Sequence, residues 1–193
     1  IAANGRPGPV LVDIPKDVQF ASGEYTNKDQ NIILPHRLFD PKIKANESNI
    51  EEATKLIANA KKPIFYIGGG CINSGPKASD LVTKFVEEVK APATMTLMGL
   101  GVLAASNKYS LGMVGMHGMY ESNMAMHDCD VMINIGARFD DRVTGRLDSF
   151  SPNSKKIHID IDASNVNKTI KIDVPIIGDI ESIMTQLFNV WNK

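Results

Sequence analysis

The chain has 193 residues, 43% of them hydrophobic and 22% charged, with a formal net charge of -1. That is a globular composition, with enough apolar residues for a core of ordinary domain size. It excludes an electrostatic case for nucleic acid or an anionic membrane, and no apolar run approaches the ~20 residues that cross a bilayer.

The sequence begins IAANGRPGPV, without a methionine, and reads as a cut through a larger protein. No charged-then-apolar leader is present, so nothing reads as a signal peptide. Residues 9–14, PVLVDI, form a short apolar run that predicts a strand. A polar segment over 19–47 has no sustained period and reads as a linker. Linkers of that length are uncommon inside one domain, so residues 1–18 are assigned to a different unit from 48–193.

From Ser48 the pattern becomes regular. Ser48 suits an N-cap for a helix over 49–60, with Glu51 three residues on as in a capping box. Ile50, Ala53, Leu56, Ile57 and Ala60 give that helix an apolar face. PIFYIGGG predicts a strand running into glycines. Residues 76–89 predict a helix with Leu81, Val82, Phe85, Val86 and Val89 inward. APATMTLMGLG predicts another strand that ends in glycines, and Leu111–Met116–Gly118 a further glycine-rich loop. A short helix is predicted over 119–127, strands over 130–135, 156–161 and 174–177, and a last helix over 179–191.

Strands and helices alternate, and the strands are continuously apolar. That pattern means an α/β domain of three layers, a parallel sheet with helices on both faces. In such sheets ligands bind at the carboxyl ends of the strands. Those ends carry Gly68, Gly69 and Gly70; Met98, Gly99 and Gly101; Gly115, Met116, His117 and Gly118; Gly136, Ala137 and Arg138; Asp160; and Gly178 and Asp179. Glycine lets backbone N–H groups approach a ligand, an acid can accept from ribose hydroxyls, and arginine offers a donor fork to phosphate. Together these are the parts that a dinucleotide needs.

Plainer readings stand beside that one. The glycines can be a bare turn, Asp160 can end its strand or cap the next turn, and RFDDR can be a solvated loop with an internal ion pair. Surface pairs contribute only ~0–1 kcal/mol, so stability is a poor reason for such a cluster. His158, between isoleucines, reads as a structural histidine. His117, between glycines, reads as a ligand contact. Met98 and Met116 can form a soft wall for a flat ring. Cys71 and Cys129 belong to no C-x-x-C pair, so zinc is not indicated, and a reducing compartment such as the cytosol is the default. There is no G-x-S-x-G, H-E-x-x-H or G-x-x-x-x-G-K-[ST], and no complete G-x-G-x-x-G. The residues look arranged to bind rather than to react.

GRPGPVLVDIPKDVQ, YIGGG, TLMGLG, LGMVGMHG, GARFDDRVTG and HIDID, in that order, resemble the large catalytic subunit of the acetolactate synthase family of thiamine-diphosphate enzymes. The resemblance runs over essentially the whole chain. It implies that 48–193 is the central domain, a six-stranded Rossmann-like sheet with a topology of its own, and that 1–18 is the tail of the N-terminal pyrimidine-binding domain. It implies FAD in this domain. Arg6 would contact the flavin; Gly68, Gly69, Gly70, Thr96, Leu97 and Met98 would line the cofactor. Gly115, Met116, His117 and Gly118 would lie along its ribityl and ring region. Gly136, Ala137, Arg138, Asp140, Arg142 and Val143 would hold the phosphates and ring side, the two aspartates of RFDDR orienting the arginines. Asp160, Ile161, Asp179 and Ile180 would face the adenosine. Lys16, Met116, Asp141 and Arg142 match positions bordering an inhibitor-binding substrate channel.

The resemblance further implies a parent enzyme that joins two 2-oxo acids with loss of carbon dioxide, in branched-chain amino-acid synthesis. Its thiamine diphosphate and Mg²⁺ would be bound by other domains: the activating glutamate and the G-D-G…N metal motif are not in this sequence, and Asp179 is followed by Ile180. The chain alone is therefore expected to be inactive. Expected partners are FAD, the rest of the parent chain, further copies in a homodimer or tetramer, and a small regulatory subunit. The expected location is the bacterial cytoplasm, or a plastid or mitochondrion in a eukaryote. Two alternatives stay open: a structural spacer domain of a related thiamine enzyme that binds no nucleotide, and a free-standing NAD-dependent deacylase. The latter would want four zinc cysteines, and there are two.

Overall fold

Two units divide the chain, Ile1–Pro41 and Lys42–Lys193, and each is described by itself. The computed structural model describes residues 2, 5–24 and 44–192. In the first unit a short helix, α1 (Lys16–Phe20), starts after Pro15. Pro15 fixes its own φ and precedes the first turn without removing an N–H that the helix needs. Gln19 donates through Nε2 to the Ile14 carbonyl at 2.6 Å. The run PVLVDI, expected as a strand, is not one: among the described residues nothing pairs with it, and Val10, Leu11, Val12 and Ile14 are exposed. A strand needs a hydrogen-bonded neighbour, which apolar character does not supply. Most of the linker expected over 19–47 lies outside the described residues.

The second unit opens with α2 (Glu47–Asn59). Its cap is Asn46, not Ser48: the Asn46 side chain accepts from the Ser48 N–H at 3.1 Å. Both residue types cap well, and the earlier one wins because Ser48 is already helical. The capping box with Glu51 therefore does not form. Then follow β1 (Pro63–Ile67), α3 (Gly69–Asn73), α4 (Pro76–Val89), β2 (Ala93–Met95) and β3 (Ser110–Met113). The chain continues through α5 (Tyr120–Asp128), β4 (Val131–Ile135), α6 (Asp141–Thr144), β5 (Lys155–Asp160), β6 (Val174–Ile177) and α7 (Ile180–Trp191). The strand β3 falls in what reads from sequence as a loop. Among the described residues no helix is long and apolar enough to cross a membrane.

All pairings are parallel, in the order β3-β2-β1-β4-β5-β6. This is the doubly wound order of nucleotide-binding folds rather than an arrangement of its own. The chain moves outward from β1 to β3, then crosses back through α5 to lay β4 on the other side of β1. The order reverses between β1 and β4, which opens a crevice at their carboxyl ends.

The two faces are covered differently. Phe65, Ile67, Ile133, Ile135, Ile157 and Ile159 point to a face covered by α2, α4 and α7. Phe85 sits at its centre, edge-on to Phe65, Phe188 and Trp191. Each such buried side chain stabilises by roughly 1.5–3 kcal/mol. Ile64, Tyr66 and Met132 point the other way, to Met126 of α5 and to Ala137, Phe139 and Ile172 in irregular segments. Loops expose carbonyls that helices would satisfy internally, so this face needs donors. Asn134 and His158 supply them, both meeting Ala137, while Thr94 Oγ1 donates to the Gly112 carbonyl of the edge strand β3 at 3.0 Å.

Candidate functional site

Because the sheet is parallel, all six carboxyl ends share one edge. At the switch point the loops after β1 and β4 lie backbone against backbone. Gly68 N–H donates to the Ile135 carbonyl at 2.9 Å, and Gly70 N–H to that of Gly136 at 2.9 Å. A Cβ on Gly68 would overlap the Gly136 oxygen and the Ala137 Cα. Gly136 itself has φ +65, where L-residues rarely sit. The glycines of YIGGG therefore have a packing reason as well as any ligand. Their amides are mostly engaged: within the described residues, Gly69 is the one of Gly68, Gly69 and Gly70 whose N–H makes no hydrogen bond.

The turn at 136–138 is held on every side. Gly136 N–H donates to the Ile159 carbonyl at 2.8 Å. Asn134 clamps Ala137 at two points: Nδ2 donates to the Ala137 oxygen at 2.8 Å, and Oδ1 accepts from the Ala137 N–H at 3.1 Å. His158 Nε2 lies 3.0 Å from the same oxygen. Tyr66 donates to the Arg138 carbonyl at 3.2 Å, and its ring packs on Phe139. Burial, with the Asp140 charge adding, pushes the Tyr66 phenol well above its ordinary value. From this turn the Arg138 side chain projects, 64% exposed. The Arg138 N–H makes no hydrogen bond within the described residues.

The charges of RFDDR have different duties. Asp140 caps α6, accepting from the Arg142 N–H at 3.0 Å, and its other oxygen lies 2.5 Å from Arg138 Nη2. The Arg142 amide, helped by the Arg138 and Arg142 charges, holds the Asp140 carboxyl below its usual range despite some opposing burial. Asp141 and Arg142 are exposed, and among the described residues no ion pair joins them. One aspartate, not two, thus orients an arginine; Asp141 stands in the first helical turn, where a negative charge suits the exposed N–H groups.

The GMHG loop is tied to this segment. Met116 N–H donates to the Arg142 carbonyl at 2.8 Å, and a Cβ on Gly115 would lie 2.9 Å from that oxygen. Asn123 clamps Gly115 as Asn134 clamps Ala137, with both bonds at 3.0 Å. A Cβ on Gly118 would collide with the Met113 carbonyl. His117 and Met116 are exposed. After β2, Thr96 accepts from Gly99 N–H at 3.1 Å, and Leu97 and Met98 stand 69% and 75% exposed. Met98 Cβ packs near Gly69. A cavity of about 210 Å³ lies behind, between α5 and residues 143–151; it adjoins the strand ends through Val114 and Val143.

At the β5 and β6 ends the acids are occupied by their own chain. Asp160, 7% exposed, accepts from the Asp162 N–H at 2.9 Å and from Asn165 Nδ2 at 3.1 Å, with His158 Nε2 at 3.5 Å. Asp179 caps α7 through Ser182 N–H at 3.2 Å and accepts from Ser74 Oγ at 2.7 Å. Ile180 is buried and Ile161 half-buried. Asp160 Oδ2 faces both Asn165 and His158, whereas Asp160 Oδ1 and both Asp179 oxygens each accept one bond and keep a lone pair for a hydroxyl. Cys71 is buried with Sγ 3.4 Å from the Ile135 carbonyl, and burial pushes its thiol up to about 12; it is a packing residue. Cys129 is likewise buried. No cluster of three metal-ligating side chains occurs among the described residues. Arg6 and Lys16 belong to the first unit; the Lys16 ammonium lies 5.7 Å from the Phe20 ring centroid.

Asp160 gives a testable pH dependence. Burial alone would raise its pKa, but His158, the Asp162 amide and Asn165 outweigh burial and lower it. A lowered folded pKa contributes stability that is fully present above the unfolded value of about 3.9 and is lost as pH falls through the folded value. Denaturant unfolding should show stability falling below about pH 4, with a shallower fall in Asp160→Asn. An equal slope in the variant would show that the acid loss arises elsewhere.

These features define a parallel α/β domain whose strand ends carry one aimed arginine, an apolar rim and two capped acids. The family model described as thiamine pyrophosphate enzyme, central domain, matches residues 50–187, and the chain belongs to that family. It is 42% identical over its full length to the acetolactate synthase isozyme 2 large subunit of Escherichia coli K12. It is 40% identical, again over its full length, to the acetolactate synthase large subunit of Buchnera aphidicola subsp. Schizaphis graminum. It is 44% identical over 97% of its length to the probable acetolactate synthase large subunit of Methanocaldococcus jannaschii. The chain spans about a third of these relatives' lengths: 34%, 33% and 31%.

Proposed function

We propose that this chain is the central, FAD-binding domain of an acetolactate synthase large subunit. The observation that carries the enzyme assignment is identity of 37–44% with acetolactate synthase sequences across at least 97% of the chain. For the cofactor, the support is Arg138. Its guanidinium and free N–H stand at the switch point of a doubly wound sheet, where a pyrophosphate belongs. Leu97, Met98 and Met116 offer exposed apolar surface at the ends of the neighbouring strands for a flat ring. The exposed Arg138 guanidinium suits the phosphates of FAD, the apolar strand ends suit its ring, and the free lone pairs of Asp160 Oδ1 and of Asp179 suit ribose hydroxyls. In this reading FAD has a binding and organising part, while the condensation of 2-oxo acids runs on thiamine diphosphate and Mg²⁺ held by other domains. Residues 1–18 are the tail of the preceding domain. The parent assembles from several catalytic subunits with a regulatory one, in the cytoplasm of a bacterium, or in a plastid or mitochondrion of a eukaryote.

A spacer domain without nucleotide is the second reading. Two observations favour it: the loop-on-loop packing explains Gly68, Gly70 and Gly136, and capping explains Asp160 and Asp179. The visible spectrum of the purified chain, with and without added FAD, separates the two. A bound flavin band that survives gel filtration is expected; its absence at saturating FAD, in this chain and in the full-length enzyme, would favour the spacer. The chain should form no acetolactate from pyruvate with thiamine diphosphate, Mg²⁺ and FAD supplied. Measurable turnover would overturn the placing of the catalytic glutamate and the metal motif in other domains.

A further inference from the structure

We propose that Asn134 and His158 are positioning residues that hold the Ala137 carbonyl and so aim the Arg138 side chain and amide at an anionic ligand; this rests on reading Arg138 as the pyrophosphate contact. Both are polar side chains in otherwise apolar strands, both are 0% exposed, and both converge on one oxygen. Asn134 and His158 are direct partners in the pairing of β4 with β5, so their side chains leave the same face together. A buried amide and a buried imidazole are costly to keep unless they are hydrogen-bonded, and apolar residues at both positions would serve packing equally well.

What they gain is a fixed peptide. The bond to Ala137 requires Nε2 of His158 to carry the proton, which leaves Nδ1 buried with no partner. The ring is thus held through its one N–H, which lies nearer the Ala137 oxygen, at 3.0 Å, than the Asp160 carboxylate, at 3.5 Å. With Gly136 fixed through Ile159 and Gly70, and the Arg138 carbonyl fixed through Tyr66, the remaining free backbone donor of the turn is the Arg138 N–H. Peptide 137–138 carries both that N–H and the Ala137 oxygen. Rotating it by tens of degrees would swing the N–H off any bound anion and alter the exit of the guanidinium. A preorganised donor pair binds more tightly than the same pair ordered on binding.

The test is a double-mutant cycle read by FAD titration with flavin fluorescence, using this chain or the full-length enzyme, in wild type, Asn134→Leu, Arg138→Ala and the double variant. If positioning acts through Arg138, Asn134→Leu weakens FAD about tenfold when the Arg138 side chain is present and by a clearly smaller factor, the share of the retained 138 N–H, when it is absent. His158→Leu should behave like Asn134→Leu. His158→Gln, which can return a donor near the Nε2 position, should stay within about twofold of wild type. Hydrogen exchange of the Ala137 amide, which is bonded to Asn134 Oδ1, measured without ligand, should quicken in His158→Leu and not in His158→Gln. Equal losses in both arginine backgrounds, or unchanged Ala137 exchange in His158→Leu, overturn the positioning role while leaving the pyrophosphate reading intact. Unchanged FAD affinity in Arg138→Ala overturns the pyrophosphate reading itself. Asn134→Leu loses a two-point clamp and is the variant at risk of not folding, in which case the two His158 variants carry the same comparison.

Discussion

Replacing Gly68 by alanine should cost the domain about 3 kcal/mol or more, the upper end of what overpacking a core usually costs. Its backbone is not the reason: φ −114 and ψ −179 are ordinary extended values that alanine adopts freely. The cost is steric. The added methyl would overlap the Gly136 oxygen and the Ala137 Cα, and would come within 2.5 Å of the Ala137 Cβ. None of these atoms ends a flexible side chain. They belong to a turn tied down by Asn134, His158, Gly70 and Ile159, so relief requires the ends of β1 and β4 to part. A domain of this size has typically 5–15 kcal/mol in total, so the denaturation midpoint should fall sharply. Gly101→Ala is the comparison: φ is +101 and nothing lies within 4 Å of its would-be Cβ, so only backbone strain is added, on the order of 1 kcal/mol. Equal midpoint shifts in the two variants would show that the strand-end loops separate easily and do not form a rigid platform.

That platform was only partly legible in the sequence, and the reasons are physical. Helix α4 was readable at both ends, because Pro76 marks its start and its apolar face repeats at helical spacing up to Val89. The last helix and β6 were readable for similar reasons. Strand β3 was not: SLGM holds a glycine and a serine, and its residues are only partly buried at the sheet's edge, so no apolar run announces it. The helix inside RFDDR was hidden by its charges, although Asp140 in front of Asp141-Arg142-Val143 is a capping pattern. Glycines at strand ends were readable as positions, but not as packing. That a Cβ at Gly68 meets Gly136 is a fact of two loops 68 residues apart, and no local pattern carries it. Asn134 and His158 did leave a signal, since each interrupts an apolar strand; a polar residue buried on the loop-covered face must find a loop carbonyl. PVLVDI shows the opposite limit, where apolar character is clear and the partner that would make it a strand is not among the described residues.

Arg138→Ala should weaken FAD by about one to two orders of magnitude, and Arg142→Ala by about threefold or less. A hydrogen bond to a charged group contributes roughly 1.5–3 kcal/mol, and each 1.4 kcal/mol is a tenfold change in affinity. Arg138 leaves the switch-point turn directly, with its own N–H unbonded within the described residues, so side chain and backbone can both donate to one phosphate. Its partner Asp140 holds the guanidinium at 2.5 Å. At this exposure such a pair is worth only ~0–1 kcal/mol of stability, so its role is to restrict the fork's direction. Loss of Arg138 should therefore leave the denaturation midpoint nearly unchanged while affinity falls, which separates a binding role from a folding one. Arg142 works through its backbone: its N–H reaches Asp140 and its carbonyl accepts from Met116. Alanine keeps both bonds, so the GMHG loop stays anchored and the cofactor surface is preserved. What Arg142→Ala removes is an exposed charge in α6, four residues beyond Arg138, whose effect should be felt in turnover or inhibitor sensitivity of the full-length enzyme. Equal losses of FAD affinity in the two variants, or a greater loss for Arg142→Ala, would move the phosphate contact from the turn to α6 and overturn the assignment of Arg138.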